Sequence, residues 1–260
     1  MSAATSVLPA TAGEAEPERR FGGLRRLYGD EAYARIRAAR IAVVGVGGVG
    51  SWAAEVLARS GVAELTLVDL DHVAESNINR QVQALGSTLG MAKVRALAER
   101  IADIHPQCRV HEVEEFAQPD NWPAVLPREV DMVIDACDQL RAKLAIAAWS
   151  LATRASLVVV GAAGGKRRPQ AVEVDDLAAA THDPLLAALR QRLRQLHGAE
   201  RKGSMGVRCV FSREPVRAPA QDCDVEANLS CHGYGSTASV TATFGMVAAQ
   251  IALECAAVGS

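Results

Sequence analysis

Eleven residues, Ile41-Ala-Val-Val-Gly-Val-Gly-Gly-Val-Gly-Ser51, leave this chain few folds to choose from. An aliphatic run enters a turn containing Gly45, Gly47, Gly48 and Gly50, and an Ala-rich run from Trp52 to Arg59 follows at helical spacing. That order reads as a buried parallel strand, a tight turn where the backbone must come close to something, and a helix whose N-terminal N–H groups face a ligand. A phosphate is the expected ligand. The same glycines could instead serve only to pack the helix closely on the sheet, and the pattern alone does not say which nucleotide would bind.

The rest of the chain repeats strand and helix. Gly61-Val-Ala63 closes the first helix, and Glu64 to Asp69 reads as a second parallel strand ending on an acid. Asp69 lies 24 residues after Gly45, where a dinucleotide-binding unit places the carboxylate that takes the ribose hydroxyls. The polar loop Asp69-Leu-Asp71-His-Val-Ala-Glu-Ser-Asn77-Ile-Asn79-Arg80-Gln81 then separates an ATP site from a nicotinamide site. A triphosphate needs cations such as Arg80 and Lys93, whereas the pyrophosphate of NAD is usually satisfied by helix N–H groups. Taken singly, either cation could be an ordinary surface charge.

Further strands are expected at Cys108–Val113, Val130–Asp138, Leu157–Gly161 and Gln170–Val174, with helices at Glu31–Ala38, Ala92–Ile104 and Leu140–Ala155. Asp135 and Asp138 close the fourth strand, at the end where α/β sheets bind ligands, so they are candidate magnesium ligands or helix caps. The expected fold is α/β: a doubly wound, Rossmann-like, mainly parallel sheet with helices on both faces and a C-terminal crossover loop and helix. The domain reading is a disordered leader over 1–18 and one domain over 19–260. Within that domain the nucleotide-binding core spans 40–175, a crossover and substrate segment 176–236, and the final helix 237–257.

Charge matters in the crossover. The whole chain carries a net charge of -2, which excludes nucleic-acid binding by bulk charge but leaves room for a local basic face. Asp183-Pro184 caps a helix whose stripe is Leu185, Leu186, Leu189, Leu193 and Leu196. Its other face and tail carry Arg190, Arg192, Arg194, Arg201, Lys202 and Arg208 against Glu200 alone, a local charge of six minus one. A solvated helix face and an RNA-backbone contact are both open readings. Glu214 to Ala227 reads as a mobile polar crossover, leading to the Gly/Ser-rich turn that carries Cys231 beside His232. Cys231 is a candidate nucleophile there.

The six cysteines form no C-x-x-C pair, so neither a zinc ribbon nor a redox dithiol is signalled, and reduced thiols in the cytoplasm are the default. The first 18 residues lack a positive n-region and an apolar core, unlike a secretory signal. Thr237 to Ala257 is apolar enough to pass for a membrane span. Gln250, Glu254 and its hydroxylated residues favour a helix buried in the fold or at a subunit interface, with no integral membrane insertion.

Together, Gly45-x-Gly-Gly-x-Gly50, Asp69-x-Asp71, Ser76-Asn77-x-Asn79-Arg80-Gln81, Gly90-x-Ala-Lys93 and Asp135-Ala-Cys-Asp138 resemble the ubiquitin-activating-like adenylating superfamily over about residues 20 to 175. Within it the chain is similar to the tRNA threonylcarbamoyladenosine dehydratase branch. That choice rests on Arg20-Phe-Gly-Gly, Leu27-Tyr-Gly29, Gly48-Val-Gly-Ser-Trp-Ala-Ala, Gly161-Ala-Ala-Gly-Gly165, Cys209-Val-Phe-Ser and Val240-Thr-Ala-Thr-Phe-Gly245. The resemblance implies that the glycine turn holds the ATP phosphates, that Asp69 takes the ribose and Arg80 and Lys93 the β/γ-phosphates, and that Asp71 and Gln81 belong to the same nucleotide-binding set. It further implies that Asn77 orients the loop or the α-phosphate and that Asp138 binds Mg2+. Arg80, Lys93, Asp138 and Cys231 are then the catalytic set, and Arg190, Arg194, Arg201 and Lys202 the tRNA contacts. A homodimer is implied as well, with a cysteine desulfurase or sulfur-acceptor protein as an optional partner. Related activators borrow an arginine from a partner subunit. Gly23 stands at the matching position here, which leaves Arg25 or Arg26 as substitutes.

The runner-up is an adenylyltransferase that activates the C-terminus of a ubiquitin-like sulfur carrier. The missing C-x-x-C pairs argue against it. A nicotinamide-dependent oxidoreductase would leave Arg80, Lys93 and Asp138 without a task, and a non-catalytic RNA-binding module would leave the whole ATP constellation without one.

Overall fold

The computed structural model describes residues 16–217 and 234–259. Two helices, α1 (Pro17–Tyr28) and α2 (Asp30–Ala38), precede β1 (Arg40–Val44), α3 (Gly50–Arg59) and β2 (Glu64–Val68). After the long polar loop come α4 (Lys93–Ile104), β3 (Arg109–Val113), β4 (Met132–Asp135), α5 (Leu140–Thr153) and β5 (Leu157–Val160). The chain then forms β6 (Val172–Asp176), α6 (Pro184–Leu196), β7 (Arg208–Ser212) and α7 (Ala238–Val258).

The seven strands lie in the order β3-β2-β1-β4-β5-β7-β6. All neighbours pair in parallel except β6, which runs antiparallel to β7 at the edge. The order reverses direction between β1 and β4, with Val44 in register with Val68 on one side and Asp135 on the other. A crevice opens at such a switch point, beyond the carboxyl ends of the strands.

β1 shows why the sheet is covered on both faces. Ile41 and Val43 enter one apolar cluster with α3, α4 and α7, while Ala42 and Val44 enter a second with α5 and α6. Each fully buried aliphatic side chain of this kind contributes about 1.5–3 kcal/mol. α7 lies against α3 and α2 with Val240, Phe244, Ala248, Ala249 and Ile251 buried. Its length and hydropathy would suit a membrane span, but its apolar stripe is spent inside this fold.

The structure corrects several boundaries. Pro17 and Glu18, assigned to the leader, already belong to α1. β4 stops at Asp135 rather than Asp138, because the chain turns away at Ala136–Cys137 to pass beneath Gly45. The sixth strand starts at Val172, after a short 3-10 turn at Pro169–Ala171, and ends at Asp176. Glu214, expected in a mobile polar crossover, is buried.

Candidate functional site

The cleft at the strand ends is lined by Gly45, Gly47, Gly48, Asp69, Asp71, Arg80, Gln81, Lys93, Asp138 and Thr241, with Phe116 and Ala117 at one end and Gly161 to Ala163 at the other. The cleft is open to solvent on one side, as a site that admits a large polar ligand must be. Its glycines do different work. Gly45 sits at φ +81°, and a side chain there would strike the backbone of Cys137 2.8 Å away; a Cβ on Gly50 would collide with the carbonyl of Gly45. Those two shape the turn, and Gly50 does not line the cleft. A Cβ on Gly47 meets nothing closer than the Gln81 amide at 3.9 Å, so the open space above Gly47 is left for a ligand.

Asp69 is buried and braces the turn: Oδ2 accepts from Val46 N at 2.8 Å and Oδ1 from Asp71 N at 2.9 Å. Burial pushes its carboxyl above the ordinary range, and the Lys93 charge pulls back the other way. Lys93, itself buried, donates from Nζ to Asp71 Oδ2 at 2.7 Å, so the cation is held in place before any ligand arrives. Arg80 is buried too, its guanidinium donating to Ser76 O at 2.5 Å and Asn79 Oδ1 at 3.0 Å. Removed from water and only partly neutralised, these two cations raise the local positive potential.

Gln81 lines the cleft and is buried. Asn77 is buried as well, but its Oδ1 accepts from Ala74 N at 3.1 Å and it does not line the cleft, so it orients the loop. Asp138 is exposed at the rim. Among the described residues no three His, Cys, Asp or Glu cluster as a metal cage. Mg2+ characteristically takes only one or two carboxylates and leaves its other positions to phosphate and water, so the exposed Asp138 carboxylate, which has no cation paired with it among the described residues, fits that ion in the company of a nucleotide.

Asp135 is set apart from the rim. It is fully buried and paired with the equally buried Lys143 at 3.0 Å, while the Cys137 thiol donates to its Oδ1 at 2.9 Å. Burial works against the Lys143 ammonium, but the Asp135 carboxylate outweighs it and holds the pKa above the ordinary lysine value. Burial, reinforced by Asp135, pushes the Cys137 thiol well up, which leaves it inert as a nucleophile.

The predicted tRNA cations separate. Arg190 donates to Leu177 O at 3.0 Å and Ala180 O at 2.6 Å, and Arg194 to Glu200 O at 3.2 Å, so both staple α6 to its neighbouring loops. Arg201 and Lys202 are exposed. Cys231 and His232 lie outside the described residues.

Sequence reasoning missed three participants. Gln83 donates from Nε2 to Val46 O at 2.9 Å and steadies the glycine turn from below. Lys143, inside the predicted helix 140–155, pairs with Asp135 beneath the cleft. Asp183, recognised as the cap of α6 through Leu186 N, also accepts from Ala162 N at 2.8 Å and so anchors the loop after β5. None has a local spacing signal, because each partner comes from a different strand end.

The ThiF family profile matches residues 22–258. A relative from Escherichia coli (strain K12), described as tRNA threonylcarbamoyladenosine dehydratase, is 44% identical over 248 residues, covering 91% of this chain and 92% of its own. The crystal structure of E. coli tRNA N6-threonylcarbamoyladenosine dehydratase, TcdA, in complex with ATP superposes with a TM-score of 0.84 at 44% identity, covering 91% of this chain and 93% of that one. Its complex with AMP gives 0.83 at 43% identity, over 96% and 97%.

Proposed function

The chain belongs to the ThiF family, and from that membership and the cleft we propose an ATP-dependent, adenylate-forming dehydratase that acts on tRNA. It closes the threonylcarbamoyl group of the modified adenosine into a cyclic oxazolone and releases AMP and diphosphate. The observation that carries this reading is the pairing of a glycine turn, open above Gly47, with the two buried cations Arg80 and Lys93 in one cleft.

The chemistry follows from what a carboxylate lacks. It is a poor electrophile at neutral pH, so its oxygen attacks the α-phosphorus of ATP, diphosphate leaves, and a mixed anhydride results. The carbamoyl oxygen of the same side chain then attacks the acyl carbon, AMP departs, the carbamoyl nitrogen loses its proton, and a five-membered ring closes. The nucleophile is already tethered, so the second step gains from proximity alone.

In this reading N–H groups of the glycine turn hold phosphate oxygens, and Arg80 with Lys93 stabilises charge on the departing diphosphate. Lys93 exchanges part of its bond with Asp71 for the phosphate. Asp69 holds the ribose, Gln81 borders the phosphates and Phe116 the base. Asp138 would hold Mg2+, which supplies charge neutralisation. Arg201 and Lys202 contact the tRNA backbone. Cys231 need not act as the nucleophile, since an internal one is at hand, so Cys231→Ala should weaken exchange without abolishing it. A homodimer, a cytoplasmic location and a sulfur-handling partner belong to the same reading and are testable by sedimentation, fractionation and affinity capture.

ATP–diphosphate exchange tests it. Exchange should depend on tRNA carrying threonylcarbamoyladenosine, and the nucleoside should lose the mass of one water. Exchange driven by a ubiquitin-like carrier protein instead, or a cleft that prefers a nicotinamide dinucleotide, overturns it.

A further inference from the structure

Lys166 is among the most deeply buried side chains in the molecule and faces no carboxylate within ion-pair distance among the described residues. Its ammonium donates instead to three backbone carbonyls: His182 O at 3.2 Å, Ser212 O at 2.9 Å and Glu214 O at 2.8 Å. These come from the entry to α6 and from the end and exit of β7. Burying a cation costs several kcal/mol unless its hydrogen bonds are all made, so a surface-indifferent lysine would not be expected here.

Around it the loop after β5 is tied at almost every residue. Glu214 Oε2 accepts from both Arg167 N and Arg168 N at 2.9 Å. Gly165 receives Arg217 N on its carbonyl at 3.0 Å and donates its own N–H to Gly235 O at 2.9 Å. The last residue described before 218–233 and a residue just after it are therefore both hydrogen-bonded to one glycine. The same loop begins with Gly161, Ala162 and Ala163, which form one wall of the cleft.

We infer that Lys166, with Gly165 and Glu214, is a positioning device for the reaction: it fixes the cleft wall formed by Gly161 to Ala163 and gathers the exits of β7 and the entry to α7 against it. The topology says why that wall matters. Asp69 lies at the end of β2 on one side of the glycine turn and β5 lies on the other, beyond β4. A nucleotide with its ribose at Asp69 leaves the β5 side open for the acceptor carboxylate. Misplacing that wall by a fraction of an ångström should therefore cost turnover while leaving the nucleotide half of the cleft intact.

This inference rests on the dehydratase reading, and its test separates the two. Single-turnover dehydration of tRNA and ATP affinity are measured for the parent and for Lys166→Met, which keeps the volume but leaves three carbonyls unpaired. Gly165→Ala, whose side chain would meet Val216 at 2.8 Å, perturbs the same clamp from its other end. Each should lower the single-turnover rate about 10- to 100-fold while moving the ATP Kd by less than about twofold. The double variant should lose no more than the worse single one, since both break one unit. Lys166→Gln, which can still donate two hydrogen bonds, should recover part of the rate. Failure of the parent to act on tRNA would sink the dehydratase reading. An active parent whose Lys166→Met and Gly165→Ala variants keep its rate, or lose ATP affinity in equal measure, would sink the positioning role. If Lys166→Met does not fold, Gly165→Ala and Lys166→Gln decide the matter alone.

Discussion

Replacing Gly47 with alanine tests the central assignment, because the structure makes fold and ligand respond differently. The new methyl meets its nearest neighbour, the Gln81 amide, at 3.9 Å, an ordinary contact, and Gly47 is not at positive φ. The folded state should accept it, and the lost freedom of the unfolded chain should add about 0.4–1 kcal/mol of stability. For a domain of this size that raises Tm by roughly 1–4 °C. The same methyl projects into the space where phosphate oxygens would approach the turn, so ATP affinity should fall about 10- to 100-fold, or about 1.4–2.8 kcal/mol. Gly50→Ala should do the opposite: its methyl runs into the Gly45 carbonyl, costing about 3 kcal/mol as overpacking against backbone, and Tm should drop by roughly 6–12 °C. Calorimetric unfolding with titration of ATP reads both quantities. Unchanged ATP affinity in a folded Gly47→Ala protein would mean that the glycines only pack the helix, and the phosphate assignment would fail.

Other outcomes follow from the same geometry. Lys93→Met and Arg80→Met should each lower tRNA-dependent ATP–diphosphate exchange about 100-fold or more, with the fold retained by circular dichroism. Lys143→Met strands the Asp135 carboxylate, whose Oδ2 already has no partner, and should destabilise by about 3–5 kcal/mol in urea unfolding, whereas the double change Lys143→Met with Asp135→Leu should regain much of that. Burial, with the Arg37 charge second, lowers the His105 pKa from 6.5 to about 4. Because its folded pKa is depressed, stability should be complete above about pH 6.5 and decline as pH falls toward 4, and His105→Gln should flatten that slope. Charge reversal at Arg201 and Lys202 should weaken tRNA binding and shallow its salt dependence, while reversal at Arg190 should act first on thermal stability, since that side chain holds Leu177 and Ala180.

Local pattern determined much of this protein. The strand-turn-helix of residues 41–59, the acid at Asp69, the Asp183-Pro184 helix start and the apolar last helix are legible because each depends on neighbours within a turn or two. The five spaced motifs behind the family resemblance are legible for the same reason: each motif is a complete local segment. Tertiary structure alone decided how those segments share work. It set Gly45 and Gly50 to shape the turn and left the space above Gly47 open, paired Asp135 with Lys143, turned Arg190 and Arg194 into staples, and buried Lys166 together with Glu214, which reads in sequence as part of a mobile polar crossover. Some of those outcomes rest on contacts across 16 to 48 residues, as at Lys166, and others on partners only 6 to 13 residues away, as at Arg194 and Arg190, but in each case the folded backbone decides which group faces which. A charged side chain looks the same in sequence whether water or a neighbouring carbonyl will receive it.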